Sequence, residues 1–200
     1  FYRGRDTYTN IWTMIKHPYI QSVRNRNLHI LLQLQVNGLL NHKNPKFVDA
    51  GIGLGHALWD FYNESQRIFL DFDWFGIEID KSLIKTLQES WEMWNSDTAP
   101  PLTLIEEDIM EHDFSDYSVI YTYTPFKKIN ENKKFYKKVT QDMKVGSIFI
   151  EHANEGNGQF NCADSALNDI KGIKKIALNN IGEFNNGTHY VWQKEIPQFI

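Results

Sequence analysis

Three glycines within five residues, Gly51, Gly53 and Gly55, follow an aspartate, Asp49, in the run Phe47-Val48-Asp49-Ala50-Gly51-Ile52-Gly53-Leu54-Gly55-His56. Glycine serves where a chain must turn at positive φ or let a ligand approach its backbone. Apolar residues before the turn suit a short buried strand, and Ala57, Leu58, Phe61 and Tyr62 after it open a helix. The start of that helix offers unpaired N–H groups and the positive end of a dipole. A strand–turn–helix of this kind holds polar, nucleotide-like ligands. Its spacing is G-x-G-x-G, whereas dinucleotide sites use G-x-G-x-x-G, and His56 stands where their third glycine belongs.

A second acidic position lies in Gly76-Ile77-Glu78-Ile79-Asp80. Glu78 falls at the end of the next apolar stretch, where a carboxylate can accept two hydrogen bonds from a ribose diol. Ile79 beside it offers an apolar contact. Asp80 is the competing carboxylate, and its place just before a helix through Leu83 favours an N-cap role. Further along, Tyr121, Tyr123, Thr124, Pro125 and Phe126 end a fourth apolar stretch, and Glu151 and His152 follow a fifth. An imidazole there suits a general base, or a loop histidine bonded to backbone. The two tyrosines suit either a ligand slot or ordinary core positions at a strand end. The seven histidines show no metal-ligand spacing, and a single cysteine, Cys162, excludes an internal disulfide and a cysteine-based zinc site.

These residues need a scaffold that brings strand ends together. Phe47–Gly51, Trp74–Ile79, Leu102–Ile105, Ser118–Tyr123 and Ser147–Ile150 read as short apolar strands. Helical patterns alternate with them: Leu83, Leu87, Trp91 and Trp94 after the second, then Tyr136, Val139 and Met143 after the fourth. The alternation predicts an α/β fold, a Rossmann-like doubly wound sheet, mostly parallel. Ile173–Leu178 and His189–Lys194, joined by a loop rich in Asn and Gly, predict a C-terminal antiparallel hairpin. Ahead of the sheet, Ile11, Trp12, Met14 and Ile15, then Leu28, Leu31, Leu32, Gln35 and Leu39, predict an N-terminal helical segment. The expected organisation is an extension over residues 1–45 packing on a ligand-binding domain over 46–200.

Composition narrows the class. The chain has 200 residues, is 42% hydrophobic and 23% charged, and carries a net charge of −4. It has no run of apolar residues long enough to span a bilayer, and its opening lacks a signal-peptide pattern. With one cysteine, the expectation is a cytoplasmic protein with no membrane partner. Charge is uneven: residues 1–46 carry +6 and the remainder −10. A basic front is able to meet an anionic partner such as nucleic acid, or to be a solvated helical face.

The ordered set of motifs resembles the class I, seven-β-strand S-adenosylmethionine-dependent methyltransferase family over roughly residues 46–195. Phe47–Gly55 is similar to its first motif, Gly76–Asp80 to its second and Glu106-Glu107-Asp108-Ile109 to its third. The resemblance implies that S-adenosylmethionine is the cofactor and S-adenosylhomocysteine the product. Asp49 and the glycine turn would then meet the amino-acid end, Glu78 the ribose, Asp108 the exocyclic amine of adenine and Ile109 the ring. In many relatives a front segment, here Tyr2, Arg3, Arg5, Tyr8 and Thr9, folds over the methionine end.

Methyl transfer from a sulfonium is an in-line displacement, so the protein mainly positions the acceptor and excludes water. The acceptor should approach the carboxyl ends of the first and fourth strands, which makes Tyr121, Tyr123 and His152 the candidate catalytic residues. Relatives that methylate base amines often carry Asn/Asp/Ser-Pro-Pro-Tyr/Phe where this chain has Tyr123-Thr124-Pro125-Phe126. Lysine methyltransferases of the same fold share Phe-x-Asp-x-Gly-x-Gly, Gly-Ile-Glu and an aromatic fourth motif. The expected acceptor is a lysine-type amine on a protein, or a small molecule. An NAD-linked oxidoreductase and a non-catalytic nucleotide- or nucleic-acid-binding module are the alternatives.

Overall fold

Phe47, Val48 and Ala50 are wholly buried, so the strand they form has no solvent face and belongs at the centre of a sheet. The computed structural model describes residues 24–94, 101–153, 166–168, 170–177 and 188–195. The helix expected around Ile11, the front segment from Tyr2 to Thr9, and Cys162 lie outside the described residues. Helix α1 (Arg24–Val36) leads to β1 (Lys46–Ala50), α2 (His56–Arg67), β2 (Asp73–Glu78), α3 (Lys81–Trp94), β3 (Leu102–Glu106), β4 (Val119–Tyr123), α4 (Ile129–Asp142), β5 (Ile148–Ala153), β6 (Ile173–Lys175) and β7 (Thr188–Lys194). The sheet runs β3-β2-β1-β4-β5-β7-β6. The first five strands are parallel, and β7 lies antiparallel between β5 and β6. The expected doubly wound sheet with a C-terminal hairpin is therefore present. Chain order reverses between β1 and β4, which opens a crevice at their carboxyl ends.

Both faces are covered. On one, Ile30, Leu31 and Leu34 of α1, Leu58 and Phe61 of α2, and Leu87 and Trp91 of α3 pack on Phe47, Trp74, Val119 and Tyr121. Phe47 lies 5.0 Å from both Phe61 and Trp74, ring centre to ring centre, so the residue that opens the glycine motif is also the hub of this core. On the other face Phe135, Tyr136 and Val139 of α4 cover Val48, Ile77, Ile120 and Phe149.

Between β3 and β4, where the sequence pattern marks no helix, residues 107–118 form a loop of turns. Asp108 accepts the Met110 N–H (2.8 Å) and Asp113 that of Ser115 (2.9 Å), and such side-chain bonds favour turns over helix. Ile109, Phe114 and Tyr117 bury themselves from this loop instead. His112 pins it, with Nδ1 2.5 Å from Glu107 and Nε2 3.1 Å from the Tyr117 hydroxyl. Burial pushes that hydroxyl up to about 12. Glu151 and His152, however, do not follow the fifth strand but lie within it, paired with Thr122 and Tyr123 of β4 and with Tyr190 and His189 of β7. Partners on both sides extend the strand past the apolar run. Among the described residues no helix is long and apolar enough to cross a membrane.

Candidate functional site

The glycine turn is built on β2 as much as on β1. The N–H groups of Gly51 and Ile52 both donate to the Ile77 carbonyl, at 3.0 and 2.9 Å. Ile52 thereby lies across Gly76, where an added Cβ would meet its Cδ1 at 2.3 Å. Gly76 is thus the reason the turn can sit so close to the neighbouring strand. Gly55 ends the turn at φ 75° as the N-cap of α2, and its own Cβ would strike Leu87 of α3 at 2.8 Å. Gly51 and Gly53 also have positive φ.

Glu78, half-buried at the end of β2, ties the two turns together. One carboxylate oxygen accepts the Gly53 N–H (3.0 Å), and the other accepts those of Ile79 (2.9 Å) and Asp80 (3.0 Å). Asp80 accepts the Ser82 N–H (2.8 Å) and hydroxyl (2.6 Å) and so caps α3. Those bonds, the hydroxyl's first, hold its carboxyl below the usual range.

Asp49 is the unusual group. It is 2% exposed and sits at the level of Gly76 on one side and Tyr121 on the other. Burial first, then the Glu78 charge, push its pKa up to about 8, against the pull of the Leu58 N–H. Near neutral pH this acid keeps its proton. His56, the first residue of α2, is pressed by burial down to about 4 and stays neutral. The sequence marked His56 only as a missing glycine, and its place on the glycine turn was the available signal.

Ile79 is 64% exposed beside Glu78. Asp108 gives one oxygen to its own turn, while Ile109 is buried in the core beneath. Across the crevice Tyr121 packs its ring 5.0 Å from Phe61, with its hydroxyl 3.5 Å from Nδ1 of His152. The Tyr123 ring meets the His152 ring edge to face at 4.6 Å. Four side-chain bonds set the surrounding backbone. The Thr122 hydroxyl donates to the Ala50 carbonyl (2.9 Å) and the Thr124 hydroxyl to that of His152 (3.1 Å). Asn132 of α4 both accepts from the Phe126 N–H (2.9 Å) and donates to its carbonyl (2.7 Å). Thr124 is held at φ 36°, a left-handed conformation rare for threonine. The structure thus groups Asp49, Gly53 and Glu78 at the ends of β1 and β2, and Tyr121, Tyr123 and His152 at the ends of β4 and β5. Among the described residues no cluster of His, Cys, Asp and Glu is arranged to hold a metal ion.

No family model and no curated protein matches this chain. Solved structures do match. A provisionally assigned S-adenosyl-L-methionine-dependent methyltransferase from Methanococcus maripaludis superposes with a TM-score of 0.58 at 10% identity, over 86% of this chain and 88% of that one. A provisionally assigned methyltransferase from Streptococcus mutans, solved with S-adenosylhomocysteine, gives 0.58 at 12% identity over 82% and 97%. The plantazolicin methyltransferase, also solved with S-adenosylhomocysteine, gives 0.57 at 12% over 86% and 85%. Together with the strand order, these likenesses show that the chain has the fold of the class I S-adenosylmethionine-dependent methyltransferases.

Proposed function

We propose that this protein is an S-adenosylmethionine-dependent methyltransferase, and that its acceptor is a lysine-type amine on a protein, or a small molecule. The observation that carries this is a buried acid, Asp49, holding a proton behind a glycine turn that Glu78 ties to β2. A carboxyl kept neutral only by burial and a neighbouring charge gains most from an arriving cation, and the cofactor's ammonium is one. The residues therefore fit the group. Glu78 has roughly four acceptor positions and uses three on backbone, so a ribose hydroxyl takes the fourth and a second competes with Gly53. Ile79, Ile109 and Asp108 would serve the adenine, and the glycine turn would meet the amino-acid end of the cofactor.

The bound cofactor supplies an activated methyl group on a sulfonium. This chain's residues do the rest. The face of Tyr123 receives the ammonium of the incoming side chain. Tyr121, anchored by Phe61, fixes His152 from behind. His152 would accept the proton that the incoming amine must lose to expose its lone pair. The antiparallel β7 between β5 and β6 supports this over nicotinamide chemistry, since the usual dinucleotide sheet has no such strand. Isothermal titration with S-adenosylhomocysteine and, separately, NADH tests the reading. Binding of the first and none of the second is expected; no heat with S-adenosylhomocysteine at millimolar concentration refutes it.

A further inference from the structure

The chain is acidic overall, yet the stretch from Lys127 to Lys144 holds seven lysines against Glu131 and Asp142 alone. That stretch carries +5, which leaves −9 for everything else. Most of it is α4, which begins three residues after Phe126, at the mouth of the Tyr123–Phe126 loop, and runs along the second face of the sheet. Its 14 residues span about 21 Å.

Both acids are neutralised locally. Glu131 takes Lys128 at 3.0 Å, and Asp142 takes Lys138. Lys133, Lys134 and Lys137 have no ion pair among the described residues; Lys134 and Lys137 are exposed and Lys133 is half-buried. At 100° per residue the three fall within an arc of about 100°, opposite the buried Asn132, Phe135, Tyr136 and Val139. The helix therefore presents a row of uncompensated positive charge leading away from the acceptor loop, and Asn132 of the same helix holds that loop in place.

We infer that this row is the docking surface for an acidic protein, the partner that carries the methyl acceptor. The inference rests on the methyl-transfer reading and gives its acceptor site a partner. Charge complementarity selects an anion. All the cations are lysines, point charges that pair with carboxylate and phosphate alike, so the kind of anion is set by how far the positive surface extends. A nucleic acid would need many phosphate contacts, and the remaining −9 repels a long polyanion that strays beyond the helix. An acidic patch limited to one protein surface meets the row alone.

The test uses the full chain and fluorescein-labelled poly-L-glutamate, read by anisotropy at 50 and 150 mM salt. Wild type is expected to bind, more weakly at higher salt. The triple variant Lys133→Glu, Lys134→Glu, Lys137→Glu should bind about tenfold more weakly or worse. Lys85→Glu, on α3, should bind as wild type does, and Lys→Gln at the same three sites gives a milder second variant. S-adenosylhomocysteine affinity, titrated on every variant, should not change. An affinity of the triple variant within twofold of wild type overturns the inference. So does a single-stranded RNA of equal charge that displaces poly-L-glutamate at 150 mM salt. If S-adenosylhomocysteine fails to bind even to wild type, the methyl-transfer reading falls by itself, and the poly-L-glutamate result still decides the docking surface.

Discussion

Replacing Asp49 with Asn should stabilise this protein, and increasingly so as pH rises. Asp49 has its pKa raised from 3.8 to about 8 by burial and by Glu78. Between those values the unfolded chain has released the proton and the folded chain still holds it. The folded state binds more protons, so stability falls as pH rises through this window, opposite to the usual aspartate. Full stability from this group is present below the unfolded value and is lost as pH climbs to the folded one. Each unit is worth about 1.4 kcal/mol, so from pH 5 to pH 7 the native protein loses about 3 kcal/mol through Asp49. Asparagine keeps the acceptor for the Leu58 N–H and has no proton to lose. At this chain length about 3 kcal/mol corresponds to roughly 6–12 °C in Tm. The measurement is thermal unfolding of both proteins at pH 5 and pH 7, taking the difference between variant and wild type. Carboxyls held low, such as Asp80 and Asp113, titrate identically in both and cancel. A variant advantage equal at the two pH values, to within a degree, would show that Asp49 is already ionised and that the electrostatic account of the site is wrong. The same variant should bind S-adenosylhomocysteine more weakly, because the group that gives up its proton to pair with the ammonium is gone. In wild type, binding at pH 7 should release close to one proton, read from heats in buffers of different ionisation enthalpy.

Glu78→Gln replaces an acceptor with an amide N–H group facing Gly53 or the Asp80 turn, and should weaken S-adenosylhomocysteine binding by about tenfold or more, by titration calorimetry, with a smaller change in Tm. It also removes a charge that raises Asp49, so the loss of stability with rising pH should end at a lower pH, and be smaller, in this variant. Gly76→Ala should cost about 1–3 kcal/mol in denaturant unfolding through its clash with Ile52, and adding Ile52→Ala should recover part of it; additive losses would refute the contact. Tyr123→Ala should leave S-adenosylhomocysteine affinity within about twofold while lowering transfer of labelled methyl into lysate acceptors about tenfold, and equal loss of both would place Tyr123 in the cofactor site instead.

Where the determinants are local, the sequence was a sufficient guide. The glycine turn, the strand it ends and the N-cap at Asp80 are each decided within about ten residues by backbone freedom, burial and one side-chain bond. The mostly parallel sheet with its closing hairpin followed because alternating strands and helices leave few ways to wind a sheet. The failures are the features that depend on distant partners. Glu151 and His152 are strand residues because β4 on one side and β7, some forty positions later, on the other both pair with them.

Charge depends on distant partners for a related reason. Residues 1–46 are basic and the remainder acidic, yet that acidic remainder includes the α4 lysines. An average over residues has no meaning for a field that decays within about 10 Å in physiological salt. What matters is which charges share a surface and which are already neutralised. Lys128 and Lys138 are paired on their own helix, whereas Lys133, Lys134 and Lys137 are not, and that distinction exists only once α4 has a face. The same logic governs Asp49. Its sequence neighbours, Val48 and Ala50, mark it as strand, but nothing local says that Glu78, 29 residues on, lies close enough to raise its pKa. In this fold the groups that define the site are brought together by crossovers, and their chemistry is a property of the crevice between β1, β2 and β4 rather than of any one motif.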